Sequence, residues 1–171
     1  MLALKREFYY NLRNIENYKE ICKLQSLYFQ HGTTTVLKHC RNVAYYSLLI
    51  AKKLDERFNI SFNYNNLIIG AFLHDLFLYD WHEKDKSHRM HGFTHAKTAL
   101  NNAKRDFKIN KTEEDMIYSH MFPLNLFRFP KTKEGKILCL ADKICAVYET
   151  MPVDPLKILV NESLNQSKVH N

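Results

Sequence analysis

Apolar residues recur at helical spacing along almost the whole chain. Val36, Val43 and Ile50 stand seven residues apart, so they share one face of a helix that we predict over about residues 35–57. Similar apolar stretches, separated by polar loops, predict further helices over about residues 5–29, 64–79, 92–106, 112–120, 133–150 and 154–166. Two segments lack this periodicity and are predicted to be loops: residues 80–90 and 121–131. No strand signal is strong.

Polar residues at the starts of these segments predict where the helices begin. Thr34 or Thr35 can cap the helix that follows the sequence HGTTT, and Asn63 is the candidate cap of the next one. The stretch from Thr112 to Asp115 resembles a capping box. These signals place the candidate side chains described below on helices or directly beside them.

Composition supports a folded helical domain. The chain has 171 residues, of which 46% are hydrophobic and 25% charged, and these values are typical of globular proteins. They exclude a disordered chain, a collagen and a small disulfide scaffold. Gly and Pro number only four each, and so few helix breakers favour helices over a turn-rich β-fold. We therefore predict an all-α fold: a compact single-domain helical bundle over residues 1–171.

The charge and the cysteines restrict the partners and the compartment. A formal net charge of +7 favours an anionic partner, which is a phosphorylated small molecule, a nucleic acid or a membrane surface. The basic residues are dispersed with no long run, which disfavours nucleic acid. The four cysteines form no CxxC pair, and the sequence shows neither a signal peptide nor an apolar stretch long enough to span a membrane. We therefore expect a cytoplasmic protein.

Histidines and aspartates occupy several positions where apolar residues are expected. His39 lies on the apolar stripe of the second predicted helix, His74 and Asp75 lie within GAFLHDLFL, Asp142 lies within ILCLADKICA, and His120 follows apolar residues. Each alone is explained by a partner in the core, since burying an unpaired carboxylate is costly. One divalent metal would satisfy the whole set. Imidazole and carboxylate together suit Fe, Mn, Co, Ni or Zn.

The order of His39, His74-Asp75 and Asp142 on successive helices resembles the HD-domain superfamily of metal-dependent phosphohydrolases, over about residues 30–150. The stretches HGTTTVLKHCRNVAYYS, GAFLHDL and LADKICAVYE around these residues add weight. FLHDLFLYDWHEKD, HGFTHAKTAL and HMFPL are also similar to small bacterial HD proteins of undefined substrate. The resemblance implies that these four residues bind a first metal.

Some HD families bind a second metal through histidines between the dyad and the last aspartate. His91, in MHGFTHA, and His120 match that pattern, with Asp75 bridging the two metals. His95 lies one helical turn after His91 and is a candidate ligand, supporting group or substrate contact. The implied cofactor is one or two divalent ions of Fe, Mn, Co, Ni or Zn, with Mg also allowed.

The resemblance implies hydrolysis of a phosphorylated small molecule, a nucleotide or dinucleoside polyphosphate, by in-line attack of a metal-activated water. The candidate catalytic residues are Asp75, Asp80, His95 and Lys143. Lys143 is interpreted either as a phosphate contact or as a surface lysine. The 5′-nucleotidase-like branch has a Glu four residues after the aspartate of the dyad, and this chain has none there. Asp80 is the nearest acid after Asp75, and the proton donor is unassigned.

Two alternatives and one assembly question stay open. The missing acid after the dyad favours a catalytically weak HD module that binds a metal and senses a nucleotide. Binding or cleavage of RNA is supported only by the net charge. The sequence does not decide between a monomer and a homodimer.

Overall fold

The computed structural model describes residues 2–81 and 90–151. In these two ranges the helices are α1 (Leu2–Arg13), α2 (Tyr18–Gln25), α3 (Val36–Phe58), α4 (Tyr64–Leu73), α5 (His91–Asp106), α6 (Lys111–Ser119) and α7 (Lys133–Thr150). A small antiparallel hairpin between α2 and α3 pairs β1 (Phe29–His31) with β2 (Thr34–Thr35). The fold is all-α, as predicted. The predicted helix over 154–166 lies outside the described residues.

Side-chain caps start α3, α4, α6 and α7, and one predicted cap was misplaced. Thr35 caps α3 and Asn63 caps α4, as predicted. The capping box of α6 begins at Asn110 rather than at Thr112. The Asn110 side chain accepts hydrogen bonds from the backbone N–H groups of Thr112 and Glu113, and Glu113 accepts one from the Asn110 backbone at 2.8 Å. Thr112 is therefore inside the first turn, because the stronger cap two residues earlier starts the helix.

The single helix predicted over residues 5–29 is wrong. Asn17 has a φ angle of 55°, in the left-handed region, and this residue separates α1 from α2. The end of the predicted helix, from Phe29 onward, is the first strand of the hairpin. Gly32 makes the hairpin turn with a φ angle of 53°, which glycine adopts without steric cost.

The helix predicted over residues 64–79 ends early, at Leu73. The chain then turns, and Leu78 adopts a φ angle of 57°. One cause of the early end is local. The His74 Nδ1 N–H donates a hydrogen bond to the Ala71 carbonyl oxygen, at 2.7 Å. In a continuing helix that oxygen would accept the backbone N–H of Asp75.

Five helices enclose the core and position the candidate residues. α3 packs on α4 and α7, and α6 packs between α4, α5 and α7. A Cβ added at Gly70 would lie 2.7 Å from the Met116 sulfur, so the glycine allows α4 and α6 to approach closely. The fully buried apolar side chains include Val43, Leu48, Leu67, Phe72, Met116, Ile117 and Leu138. No helix in the described ranges is both long and apolar enough to cross a membrane.

Candidate metal centre

Five helices bring titratable side chains to one buried place. Contributions come from the first turn of α3, the residues directly after α4 and α6, the second turn of α5 and the middle of α7. All these residues are at most 6% exposed: His39, His74, Asp75, His95, His120 and Asp142. The sequence separates the first of them from the last by about a hundred residues, so the packing of the helices alone brings them together.

Three of the histidines are held in the same tautomer by backbone carbonyls. The Nδ1 atoms of His74 and His120 lie 2.7 and 2.8 Å from the carbonyl oxygen three residues earlier. The Nδ1 atom of His95 lies 2.7 Å from the carbonyl oxygen four residues earlier. Since a carbonyl can only accept, each Nδ1 donates its N–H, and each Nε2 of a neutral ring directs a lone pair into the protein.

The first group of donor atoms surrounds the Asp142 carboxylate. Asp142 Oδ1 lies 3.1 Å from His39 Nε2 and 3.7 Å from His74 Nε2. These three residues form a buried group whose ligand atoms all lie within 4.8 Å of one another. Asp75 Oδ2 lies 3.2 Å from His74 Nε2 and 3.7 Å from His39 Nε2, so it faces the same space. Four donor atoms therefore face one position.

The second group lies on the other oxygen of the Asp75 carboxylate. Asp75 Oδ1 lies 3.3 Å from His95 Nε2 and 3.4 Å from His120 Nε2. A second overlapping group of possible ligand atoms comprises His74, Asp75 and His120. The two Nε2 atoms of His95 and His120 are only 2.9 Å apart. Because both rings donate from Nδ1, two lone pairs would face each other there unless a proton or a metal cation lies between them.

Two atoms of the centre are buried without a hydrogen-bond partner, His74 Nε2 and Asp75 Oδ1. An unsatisfied buried polar group costs about 1–3 kcal/mol, and native proteins contain few of them. When the His74 ring is neutral, as a metal ligand must be, both atoms are electron-pair donors, and both belong to the two groups just described. A divalent cation would satisfy them together, so the residues present fit a metal.

The ionisation states of the metal-free centre follow from burial and from the opposite charges. Burial opposes protonation of His39, but its hydrogen bonds to Asp142 and Glu149 outweigh this effect and raise its pKa to about 10. Burial lowers the pKa of His120 to about 4. Burial favours the neutral form of Asp75, yet the adjacent His74 and the hydrogen bonds keep its pKa well below the usual range. Protons therefore occupy the centre where a metal would otherwise compensate the carboxylates.

Three further polar residues contact these groups, and the sequence did not predict two of them. Glu149 Oε2 lies 2.7 Å from His39 Nδ1, and Gln30 Nε2 donates to Asp75 Oδ2 at 2.7 Å. Glu149 stands seven residues after Asp142, hence on the same face of α7, and that spacing could have revealed it. Gln30 lies on a strand that was not predicted.

The third is Lys143, one of the predicted catalytic residues. Its ammonium donates to Asp142 Oδ2 at 2.8 Å and to the carbonyl oxygen of His120 at 2.9 Å. It therefore links the end of α6 to α7 while its side chain stays 37% exposed. A phosphate contact by Lys143 stays a prediction.

Neither His91 nor Asp80 belongs to the two groups of possible ligand atoms. The Nδ1 atom of His91 lies 2.9 Å from the Tyr79 hydroxyl, and its ring stacks on His95 with centroids 4.4 Å apart. The Trp81 ring stacks on the other face of the His91 ring, with centroids 5.1 Å apart. A metal-binding role for His91 stays a prediction. Asp80 is half-buried and is not among the described residues that line the cavity below, so its acid role stays a prediction too.

A cavity of about 640 Å³ opens above the centre. Its floor carries Asp75, His95, His120 and Asp142. The other described lining residues are Gln30, Trp81, His91, Gly92, Met121, Leu124, Lys143 and Ala146. This volume suits a small molecule, with polar groups at the floor and mostly apolar groups around it.

The arrangement of these residues matches a known family. A family model of the HD domain matches residues 36–147, which include all six buried residues of the centre. The chain belongs to the HD-domain family. HD domains are generally metal-dependent hydrolases and bind divalent metals, and the two buried groups of this HD domain could hold such an ion. Searches among curated proteins and among solved structures find no match.

Proposed function

We propose that this HD domain is a phosphohydrolase of a phosphorylated small molecule, with a nucleotide as the substrate class. The observation that carries the proposal is the Asp75 carboxylate, whose two oxygens face two different sets of imidazole nitrogens. Oδ2 faces His39 and His74, and Oδ1 faces His95 and His120. A carboxylate shared in this way is the form that bridges two metal ions in hydrolytic sites.

The ligands follow from the two groups. His39, His74, Asp75 and Asp142 would hold the first ion. The second ion would take Asp75 with His95 and His120, since these two nitrogens are the nearest to Oδ1. His91 stays an expected ligand from the family pattern, and its ring borders the same space. The nitrogen and oxygen donors suit Fe, Mn, Co, Ni or Zn.

The chain's own residues would bind and orient the substrate. When bound, divalent ions lower the pKa of a water and neutralise phosphoryl oxygens during in-line attack. The Lys143 ammonium lines the cavity beside Asp142, where a phosphate oxygen would approach the floor. Trp81, Met121 and Leu124 line the same cavity and would contact the organic part of the substrate. Their apolar surface would also exclude bulk water from the floor.

Metal analysis and a substrate panel test the proposal. Purified protein is loaded with Mn, Fe, Co, Zn or Mg, its metal content is measured, and phosphate release is followed with nucleoside monophosphates and dinucleoside polyphosphates. We expect at least one tightly bound transition metal per chain and turnover that Asp75→Ala reduces to the background rate. Asp106→Ala removes an exposed carboxylate paired with Arg105, so it serves as the matched control and should keep both properties. Substoichiometric metal together with unchanged turnover in Asp75→Ala would refute the proposal.

One observation favours the alternative of a nucleotide-sensing module. Among the described lining residues, the carboxylic acids are Asp75 and Asp142 alone, and both belong to the centre. No carboxylic acid outside the centre is therefore present among the described lining residues to donate a proton to a leaving group. If the alternative is correct, the metal-loaded protein binds a nucleotide tightly in calorimetry, while turnover stays at the level of Asp75→Ala.

A further inference from the structure

The short hairpin before α3 presents its side chains in an unusual order. On a strand that covers a core, apolar side chains normally point inward and polar ones outward. In β1 the order is inverted, since Phe29 is 47% exposed whereas its neighbour Gln30 is 7% exposed. A local rule broken in this way is typical of a functional position.

The hairpin is fixed to the two helices that carry His39 and Asp142. The backbone N–H of Val36, the first residue of α3, donates to the Tyr28 carbonyl at 2.9 Å. Thr35, the last residue of β2, also caps α3. The strand β1 itself contacts both α3 and α7. Gln30 is therefore held in a defined position relative to the centre.

The Gln30 amide has one orientation that its surroundings allow. Its NH₂ group lies 2.7 Å from Asp75 Oδ2 and donates to it. The flipped amide would place a carbonyl oxygen against a carboxylate oxygen, which is repulsive. The amide oxygen, Oε1, is consequently turned away from Asp75. It is buried and has no hydrogen-bond partner among the described residues, while Gln30 lines the cavity.

We propose that Gln30 is a positioning residue of this centre. Its NH₂ group fixes the rotation of the Asp75 carboxylate, so that Oδ2 faces His39 and His74 while Oδ1 faces His95 and His120. Its free Oε1 offers an acceptor to an O–H group in the cavity, from water or from a substrate. The inference rests on the proposed function, because it assigns Gln30 to the same metal-dependent site. Partners that orient metal ligands typically change metal affinity by about 10–100-fold when they are lost.

The chain provides a matched control. Gln25 is also a buried glutamine whose Oε1 lacks a partner, but its NH₂ group donates to the Phe72 carbonyl oxygen and to the Cys40 sulfur rather than to a carboxylate of the metal centre. Gln30→Leu and Gln25→Leu therefore remove the same chemical group from two buried places. Both variants should lower the Tm of the metal-free protein. Only Gln30→Leu should weaken binding of Co²⁺, by about tenfold or more in competition with a chelator, and change the visible spectrum of bound Co²⁺.

A third variant tests whether the group at position 30 lies against Asp75. Gln30→Glu keeps the shape and an acceptor oxygen but places a second carboxylate against Asp75. Like charges at this distance repel, so the metal-free protein should melt below Gln30→Leu, and Co²⁺ should raise its Tm more than it raises that of the wild type. Equal Tm values of Gln30→Glu and Gln30→Leu, with and without Co²⁺, would contradict the contact on which the proposal rests.

Turnover at saturating Co²⁺, where weaker metal binding has no effect, distinguishes the two sources of the O–H group. If water donates to Oε1, Gln30→Leu lowers kcat with p-nitrophenyl phosphate and with adenosine monophosphate alike. If a substrate hydroxyl donates, KM rises for adenosine monophosphate alone.

The failure of this inference differs from the failure of the proposed function. If Gln30→Leu binds Co²⁺ as tightly as Gln25→Leu, with the wild-type spectrum, then Gln30 does not position Asp75 while the phosphohydrolase proposal stands. If the wild-type protein binds no transition metal, both are refuted.

Discussion

Carboxylates are buried near both ends of helices α4 and α6, and the groups that surround them differ between the two ends. At the N-terminal ends, which we call the capping end, Glu113 of α6 and the neighbouring Glu134 of α7 are 3% and 5% exposed. At the C-terminal ends, in the metal centre, Asp75 after α4 and the neighbouring Asp142 of α7 are 2% and 6% exposed. Burial is therefore the same at both ends. The partners of the carboxylates decide which end is a candidate site.

The capping end satisfies its carboxylates with backbone N–H groups. Glu134 accepts from the Asn63 backbone at 3.0 Å, and Glu113 accepts from the Asn110 backbone at 2.8 Å. Asp115 accepts from the backbone and hydroxyl of Thr132 at 2.8 and 2.7 Å. Helix N-termini carry unsatisfied N–H groups and partial positive charge, so carboxylates stabilise them. These acids need no further ligand.

The metal centre surrounds its carboxylates with imidazoles instead. The C-terminal ends of α4 and α6, directly before His74 and His120, carry partial negative charge, which favours a cation. Lone pairs of His74 Nε2 and Asp75 Oδ1 stay unsatisfied there. The comparison shows that a buried acid marks a site only when its neighbours are electron-pair donors as well.

Substituting an aspartate by asparagine at each end should give the largest contrast. Asp142→Asn removes a charge from the metal centre, and Asp115→Asn removes one from the capping end. A metal at a hundred times its Kd stabilises the folded protein by about 2.7 kcal/mol. Asp142→Asn should lose most of this gain, whereas Asp115→Asn should keep it although the metal-free protein is less stable. Urea unfolding with metal and with a chelator measures both, and equal gains in the two variants would contradict the assignment of the centre.

The two ends of α7 allow a similar test with a residue that contacts a proposed metal ligand but is not itself a ligand. Glu149→Gln keeps an acceptor for His39 Nδ1 but removes the charge, so His39 becomes a weaker ligand. We expect metal affinity to fall by about tenfold, as is common for partners of metal-binding histidines. Glu134→Gln, in the first turn of the same helix, should leave the affinity unchanged. Competition with a chelator measures the metal affinity. A similar loss of affinity in both variants would show that the effect comes from the whole helix rather than from Glu149.

The sequence predicted the helical fold and the residues whose chemistry conflicts with their apolar surroundings. His39, His74, Asp75, His120 and Asp142 stood out because each interrupts a run of apolar positions. The structure brings these five together. The order of four of them, together with the sequence stretches around them, indicated the family that the HD-domain match confirms.

The role of Gln30, the place of His95 and the break between α1 and α2 could not be predicted from the sequence, because they depend on tertiary contacts and local backbone geometry. Gln30 lies on a hairpin that exists only through packing against α3 and α7, since two or three residues per strand give little intrinsic preference. The nearness of His95 rather than His91 to Asp75 depends on the rotation of α5 about its axis. The break at Asn17 rests on a left-handed residue that periodicity does not reveal.

A cap substitution at α6 should separate stability from metal binding. Asn110→Ala removes the acceptor for two backbone N–H groups, and loss of such a cap costs about 1 kcal/mol. The free energy of unfolding should fall by that amount, while Co²⁺ affinity stays at the wild-type value. A parallel loss of affinity would show that the capping end and the metal centre, at opposite ends of α6, are coupled.

The smallest effect that we expect is a pH dependence at the capping end. Burial raises the pKa of Glu113 above its ordinary value of 4.5, against the hydrogen bonds from Asn110. A group whose pKa is raised by folding contributes stability below its unfolded pKa and loses it as the pH rises through the folded pKa. Relative to Glu113→Gln, the wild type should therefore lose stability as the pH rises from about 4.5 toward neutrality. Urea unfolding with a chelator present measures the difference, and parallel pH profiles would show that backbone N–H donors offset the burial of this acid completely.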